Sequence, residues 1–114
     1  MTDPIPGALL DSRMDRVLEA LLTPRRRKVL FLIKRSEPRP VVDFLPRNAS
    51  GSRTVEIALH HTDLPRLERM AYIDWDRDAN EVAKGDRFNE IEPVLNLMDN
   101  HADELPADWE PCDS

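Results

Sequence analysis

The apolar residues Met14, Val17, Leu18, Leu21 and Leu22 recur at helical spacing, with Arg13, Asp15, Arg16 and Glu19 between them. This predicts an amphipathic helix that starts at Asp11 or Ser12, either of which can cap it. Thr23-Pro24 then predicts a second start, with threonine at the cap and proline at the first helical position, where a missing N–H costs nothing. Val29 to Ile33 is apolar without interruption, so this second helix is expected to be the centre of the core. The segment Ser36 to Pro46 has prolines at 38, 40 and 46 and leaves room for one or two helical turns, with Val41, Val42 and Leu45 as their buried face. Arg47 to Ser52 reads as a connector of small polar residues in which Asn48 or Ser52 starts the next helix.

From Arg53 the pattern is amphipathic again, with Ile57, Leu64, Leu67 and Ala71 expected inside and Val55 and Leu59 partly so. Arg53, Thr54, Glu56, His60, Thr62, Asp63, Arg66 and Arg69 are then expected to face outward. Pro65 falls inside the pattern and predicts a kinked or split helix, with Thr62-Asp63 capping the new turn. Tyr72 to Asp76 alternates as a strand, Arg77 to Asn80 reads as a turn, and Glu81 to Lys84 returns, closed by Gly85. Phe88, Ile91, Val94, Leu95, Leu97 and Met98 form a last helical stripe ending near His101.

A helix feeding a small hairpin, after two helices and a short third, predicts an α+β, mostly helical fold. The specific expectation is a winged helix-turn-helix with a two-stranded wing and N- and C-terminal dimerisation helices. That geometry sets a helix surface and a projecting wing side by side, as needed to enter a major groove and touch the flanking backbone. The residue types suited to phosphates and base edges are Arg25, Arg26, Arg47, Ser52, Arg53, Thr54, His60, Arg66, Arg77 and Lys84. Double-stranded DNA is the expected partner and transcription regulation the expected role. The alternative is a winged-helix protein–protein interaction module that does not bind DNA. Glu56, Asp63 and the wing aspartates favour the alternative, because carboxylates repel phosphate. The terminal stripes, Met14, Val17, Leu18 and Leu21 with Ile91, Val94, Leu95 and Met98, are expected to meet each other within one chain or across a homodimer.

Composition narrows the picture. The 114 residues suit one domain, expected over residues 11–102, between a loose leader at 1–10 and an acidic disordered tail at 103–114. Apolar residues make up 40% of the chain, which predicts a thin core or one completed by a partner. The net charge of −6 is uneven, since residues 1–53 carry +5 and residues 54–114 carry −11. Arginines outnumber lysines thirteen to three, a bias expected of a salt-adapted organism such as a halophilic archaeon. Arg25-Arg26-Arg27-Lys28 sits at the positive end of the second helix, against its macrodipole. Phosphate, carboxylates of the acidic half or solvation are the candidates for what holds these cations there.

Chemistry is sparse. His60 and His61 point about 100° apart on a helix and cannot ligate as an i, i+4 pair would, so no metal is expected. His61 is expected inside and His60 at the surface. There is no nucleophile elbow and no phosphate-cradling glycine loop among three glycines, so neither an enzyme activity nor a cofactor is expected. No small-molecule ligand is evident. The single cysteine, Cys112, excludes an intramolecular disulfide, and no apolar run is long enough to span a bilayer. With no signal-peptide pattern, a cytoplasmic protein without a membrane partner is expected.

The segments TPRRRKVLFLIK and EIALHHTDLPRLERMAYIDWD resemble haloarchaeal winged-helix domains of unknown function, distant relatives of ArsR-type regulators. Those domains share a "PRRR…L" helix and an "I-x-L-x-H-x-H-L-P-x-L…G-V-V-x-Y-D" segment, and the similarity covers roughly residues 12–85. This sequence departs from the pattern at Asp63 (for histidine), Ala71 (for glycine) and Trp75 (for tyrosine). The abbreviated Val41 to Leu45 helix is another departure. The resemblance implies the winged-helix fold; such domains can act on DNA or as dimeric interaction modules.

Overall fold

The computed structural model describes residues 12–46 and 52–106. Helix α1 (Ser12–Ala20) is followed, after a three-residue turn, by α2 (Pro24–Arg35). Strand β1 (Arg39–Pro40) leads into a 3₁₀ helix (Val41–Phe44), and α3 (Ser52–Ala58) continues through a π-helical turn (Leu59–Asp63) into α4 (Leu64–Arg69). Strands β2 (Ile73–Asp76) and β3 (Glu81–Lys84) form a hairpin, and α5 (Phe88–Asn100) precedes a last 3₁₀ turn (Ala102–Glu104). The fold is α+β and mostly helical, with a three-stranded antiparallel sheet in the order β1-β3-β2. No described helix is long and apolar enough to cross a membrane.

Helix α2 starts where expected. The Thr23 hydroxyl accepts from the Arg26 N–H, Pro24 occupies the first turn, and Val29, Leu30, Phe31 and Ile33 are buried. Helices α1 and α5 pack on one another within the chain, with Val17, Ile91 and Leu95 in the common core. The hairpin falls within a residue of its expected bounds. Ile73 and Trp75 point inward, Asp74 and Asp76 outward, and Trp75 pairs with Val82. The Asp76 carboxylate accepts from the N–H groups of Asp78 and Ala79, which folds the turn back before Asn80 enters the left-handed region at φ 55°.

Several expectations are corrected. The proline-rich segment contributes a strand, Arg39 and Pro40 pairing with Val82 and Glu81, as well as a single 3₁₀ element. With three residues per turn, Val41 and Phe44 share the buried face and Val42 turns out to solvent. Pro65 neither splits its helix nor draws a cap from Asp63, whose backbone is helical and whose side chain makes no cap bond. The helix instead widens: the Leu64 N–H bonds the Leu59 carbonyl five residues back. Five residues make too much rotation for one α-turn, but the wider π-turn brings Leu59 and Leu64 onto one face. Both are fully buried, Asp63 goes in with them, and Ile57, expected inside, is 49% exposed.

The end of α4 is a Schellman turn, in which the Tyr72 N–H bonds the Leu67 carbonyl and the Ala71 N–H that of Glu68. Ala71 carries the left-handed residue, at φ 65°. Gly85 packs against this turn so closely that an added Cβ would stand 2.5 Å from the Ala71 carbonyl oxygen and 2.8 Å from the Ile73 nitrogen.

Candidate nucleic-acid interface

The outer face of the α3–π–α4 helix, its first turn and the β2–β3 hairpin are the surfaces on which the sequence places DNA contacts. In the first turn Arg53 and Thr54 are exposed and Ser52 is half-buried. Arg53 makes no ion pair among the described residues, and neither does the exposed Arg69 at the other end of the helix. Glu56, Ile57, His61 and Thr62 are also exposed between them. Arg47 lies outside the described residues.

The other described cations among these candidates are engaged in intramolecular ion pairs. Arg25 Nε donates to Asp63 Oδ2 at 2.6 Å, and Arg26 NH1 lies 3.6 Å from Asp63 Oδ1. Arg26 also donates to the Glu19 carbonyl at 2.8 Å, and Arg27 to that of Leu21 at 2.7 Å. These are carbonyls at the end of α1, which a helix leaves without intrahelical partners. The run of arginines against the dipole of α2 is therefore recruited by the negative end of α1 and by the Asp63 carboxylate. Asp63, expected on the outer face, is fully buried because the π-turn rotates it inward. Burial lowers the pKa of Arg26, and Asp63 opposes that shift. Arg26 Nε and Asp63 Oδ1 have no hydrogen-bond partner of their own. Arg66 pairs with Glu19 at 3.0 Å.

On the hairpin, Arg77 pairs with Glu68 at 2.9 Å and its guanidinium lies over the Trp75 ring at 4.1 Å. Lys84 is shared between Glu92 at 3.5 Å and Glu37 at 3.9 Å, beside the Phe88 ring. The histidines are exchanged relative to expectation: His61 is exposed, whereas His60 is half-buried against Trp75. Its Nδ1 meets the Glu56 carbonyl at 2.9 Å and its Nε2 the Asn80 amide oxygen at 3.4 Å, which ties the helix to the hairpin turn. The π-turn accounts for this exchange as it does for Ile57 and Asp63.

Of the residues expected at a dimer surface, Val17, Ile91 and Leu95 lie in the chain's own core, and Met14, Leu21, Val94 and Met98 are half-buried. Leu18 stays exposed at 55%, joined by Leu22 and Leu97. The two terminal helices satisfy one another intramolecularly, and an Arg16–Glu90 pair at 3.3 Å bridges them. No group of metal-ligating side chains occurs among the described residues. Within a mostly helical α+β fold, the site is a helix with a free first turn beside a short acidic hairpin. No protein-family model, curated protein or solved structure matches this chain.

Proposed function

We propose that the chain is a winged helix-turn-helix DNA-binding domain of a transcription regulator, reading DNA with the first turn of α3 rather than with the full set of basic residues. The observation that carries this reading is the exposed Arg53, without an ion pair among the described residues, beside Thr54 at the start of the helix that precedes the hairpin. In helix-turn-helix proteins it is the N-terminal part of the second helix that touches base edges. The three-stranded sheet in the order β1-β3-β2 supports reading the β2–β3 hairpin as the wing.

The footprint is small. Two free cations along the helix, Arg53 and Arg69, predict a salt slope of about −2 per protomer at about 0.9 per phosphate contact. A second copy would double it. We place a homodimer contact on Leu18, Leu22 and Leu97, alongside the uncharged outer positions Asn89, Pro93, Asn96 and Asn100 of α5. Fluorescence anisotropy on random duplex over a salt series tests the reading. Binding should weaken with salt, and Arg53→Ala should flatten the slope by about one phosphate contact while Arg25→Ala leaves it unchanged. Flat or absent binding at low salt would leave the second reading, a protein-interaction module. That reading is favoured by the exposed Ile57 and by a hairpin whose outward residues include Asp74, Asp76 and Asp78.

A further inference from the structure

One cation of the α2 run is held unlike the others. Lys28 is nine-tenths buried, yet among the described residues its Nζ has a single long hydrogen bond, 3.4 Å to the Leu45 carbonyl, and no carboxylate partner. The ammonium lines an open cleft of about 480 Å³ between α2, the 3₁₀ helix and Ser52, the first residue of α3. The neighbouring carboxylate, Asp43, is engaged by Arg39 at 3.4 Å, so the cleft retains one positive charge in a chain of net charge −6. Leu32, Val42, Leu45 and Pro46 form the apolar part of its walls, and Arg39, Asp43 and Ser52 the polar part. A charge withdrawn from water without a partner is costly, and an ammonium with donors to spare beside an open cavity is a position an anion completes.

We propose that this cleft binds a small organic carboxylate, its anionic head on Lys28 with support from Arg39 and Ser52, and its apolar body against Leu32, Val42 and Leu45. The volume lies in the range of small-ligand sites, and the cleft sets an apolar surface beside convergent polar groups, as such sites do. Because Ser52 begins the helix proposed to enter DNA, the ligand is placed to bias the position of that helix. Carboxylate binding itself does not depend on the chain binding DNA.

Titration calorimetry on the full chain with benzoate, hexanoate and neutral benzamide tests this. Saturable binding of benzoate or hexanoate is expected, with benzamide at least about tenfold weaker, since the site's cation recognises charge. Lys28→Met keeps the stem and should remove the preference for benzoate over benzamide, while Arg53→Ala, outside the cleft, should keep it. Should Lys28→Met fail to fold, Val42→Glu places a competing carboxylate at an exposed position on the cleft wall and should weaken benzoate about tenfold or more. Equal binding of benzoate and benzamide, no saturable binding of either carboxylate, or a benzoate preference that survives Lys28→Met overturns the proposal. Lys28-dependent binding of inorganic phosphate without benzoate binding would overturn the carboxylate assignment.

Discussion

Asp63 is the position at which a single substitution should do most to this fold. Its carboxylate is fully buried and faces two guanidiniums, one buried (Arg26) and one 40% exposed at the side chain (Arg25). At the 3.6 Å separation of the Arg26 pair, the Coulomb attraction is about 5 kcal/mol for an effective dielectric of about 20. Much of that offsets the cost of taking both ions out of water. Removing one partner exposes the cost without the compensation, so Asp63→Ala should destabilise the chain by about 3–5 kcal/mol. Arg25 adds less than about 1 kcal/mol because solvent screens it. The loss is comparable to the lower end of the total stability of a domain of this size, about 5–15 kcal/mol.

Urea denaturation followed by circular dichroism reads the effect. With a slope of about 1.5 kcal/mol/M, the midpoint should fall by roughly 2–3 M. The double variant Asp63→Ala/Arg26→Met separates a buried charge from a packing defect. Replacing both ions by apolar groups should recover at least about 2 kcal/mol of the single variant's loss, because an uncompensated charge no longer remains inside. Recovery stays incomplete, since the Glu19 carbonyl loses the Arg26 donor, a loss of about 1 kcal/mol. A cost below about 1 kcal/mol for Asp63→Ala, or a double variant no more stable than the single, would refute the argument that Asp63 is the counter-charge of Arg26.

Other positions give independent checks. Ala71→Gly should raise stability by up to about 1 kcal/mol in the same denaturation experiment, because glycine adopts the left-handed conformation at φ 65° without the Cβ penalty. Gly85→Ala should lower stability by about 1–3 kcal/mol, since the new methyl would meet backbone rather than a side chain that can move aside. Tyr72 is the only tyrosine, so tyrosinate absorbance in an alkaline titration reports it alone. Burial, then the neighbouring Glu90, raises its pKa above the ordinary value. The folded state thus holds this proton more tightly than the unfolded one, and the contribution is fully present below about pH 10 and lost as pH rises toward the folded pKa. Tyr72→Phe should flatten that alkaline decline, and a free-tyrosine titration curve in the folded chain would contradict it. Leu97→Lys should shift a sedimentation profile toward the monomer if the proposed second-copy contact forms, and leave urea stability within about 0.5 kcal/mol, as the side chain is 59% exposed.

What the sequence makes legible here is whatever repeats locally. The α1 stripe, the Thr23-Pro24 start and the strand–turn–strand of the hairpin depend on neighbours within a few residues, and each forms close to its expected bounds. The two-residue strand Arg39–Pro40 was not legible, because it exists only through β3, some forty positions away. The π-turn was not legible either. Apolar spacing of five, Leu59 to Leu64, breaks the α-helical period, and reading it as a kink at Pro65 exchanged the inner and outer positions of Ile57, His60, His61 and Asp63.

The charge asymmetry is where local reading fails most usefully. A basic first half beside an acidic second half suggests two faces, one of them for an anionic partner. In the fold the halves are interleaved, and the pairs Arg16–Glu90, Arg25–Asp63, Lys34–Asp99 and Arg66–Glu19 each join one half to the other. Internal pairing engages Arg25, Arg26, Arg66, Arg77 and Lys84, five of the cations that linear sequence assigns to DNA, while Asp74, Asp76 and Asp78 make no ion pair among the described residues. Long-range attraction to a phosphate backbone is then weak for one chain, and the proposed DNA affinity rests on the few cations that stay free among the described residues, at close range and in duplicate. A monomer whose α3–α4 helix carries two cations without an ion pair among the described residues, in a chain of net charge −6, gains little from non-specific attraction. Under the proposed function, dimerisation is then a condition for DNA binding, and a variant held monomeric should lose duplex affinity even with Arg53 and Thr54 intact.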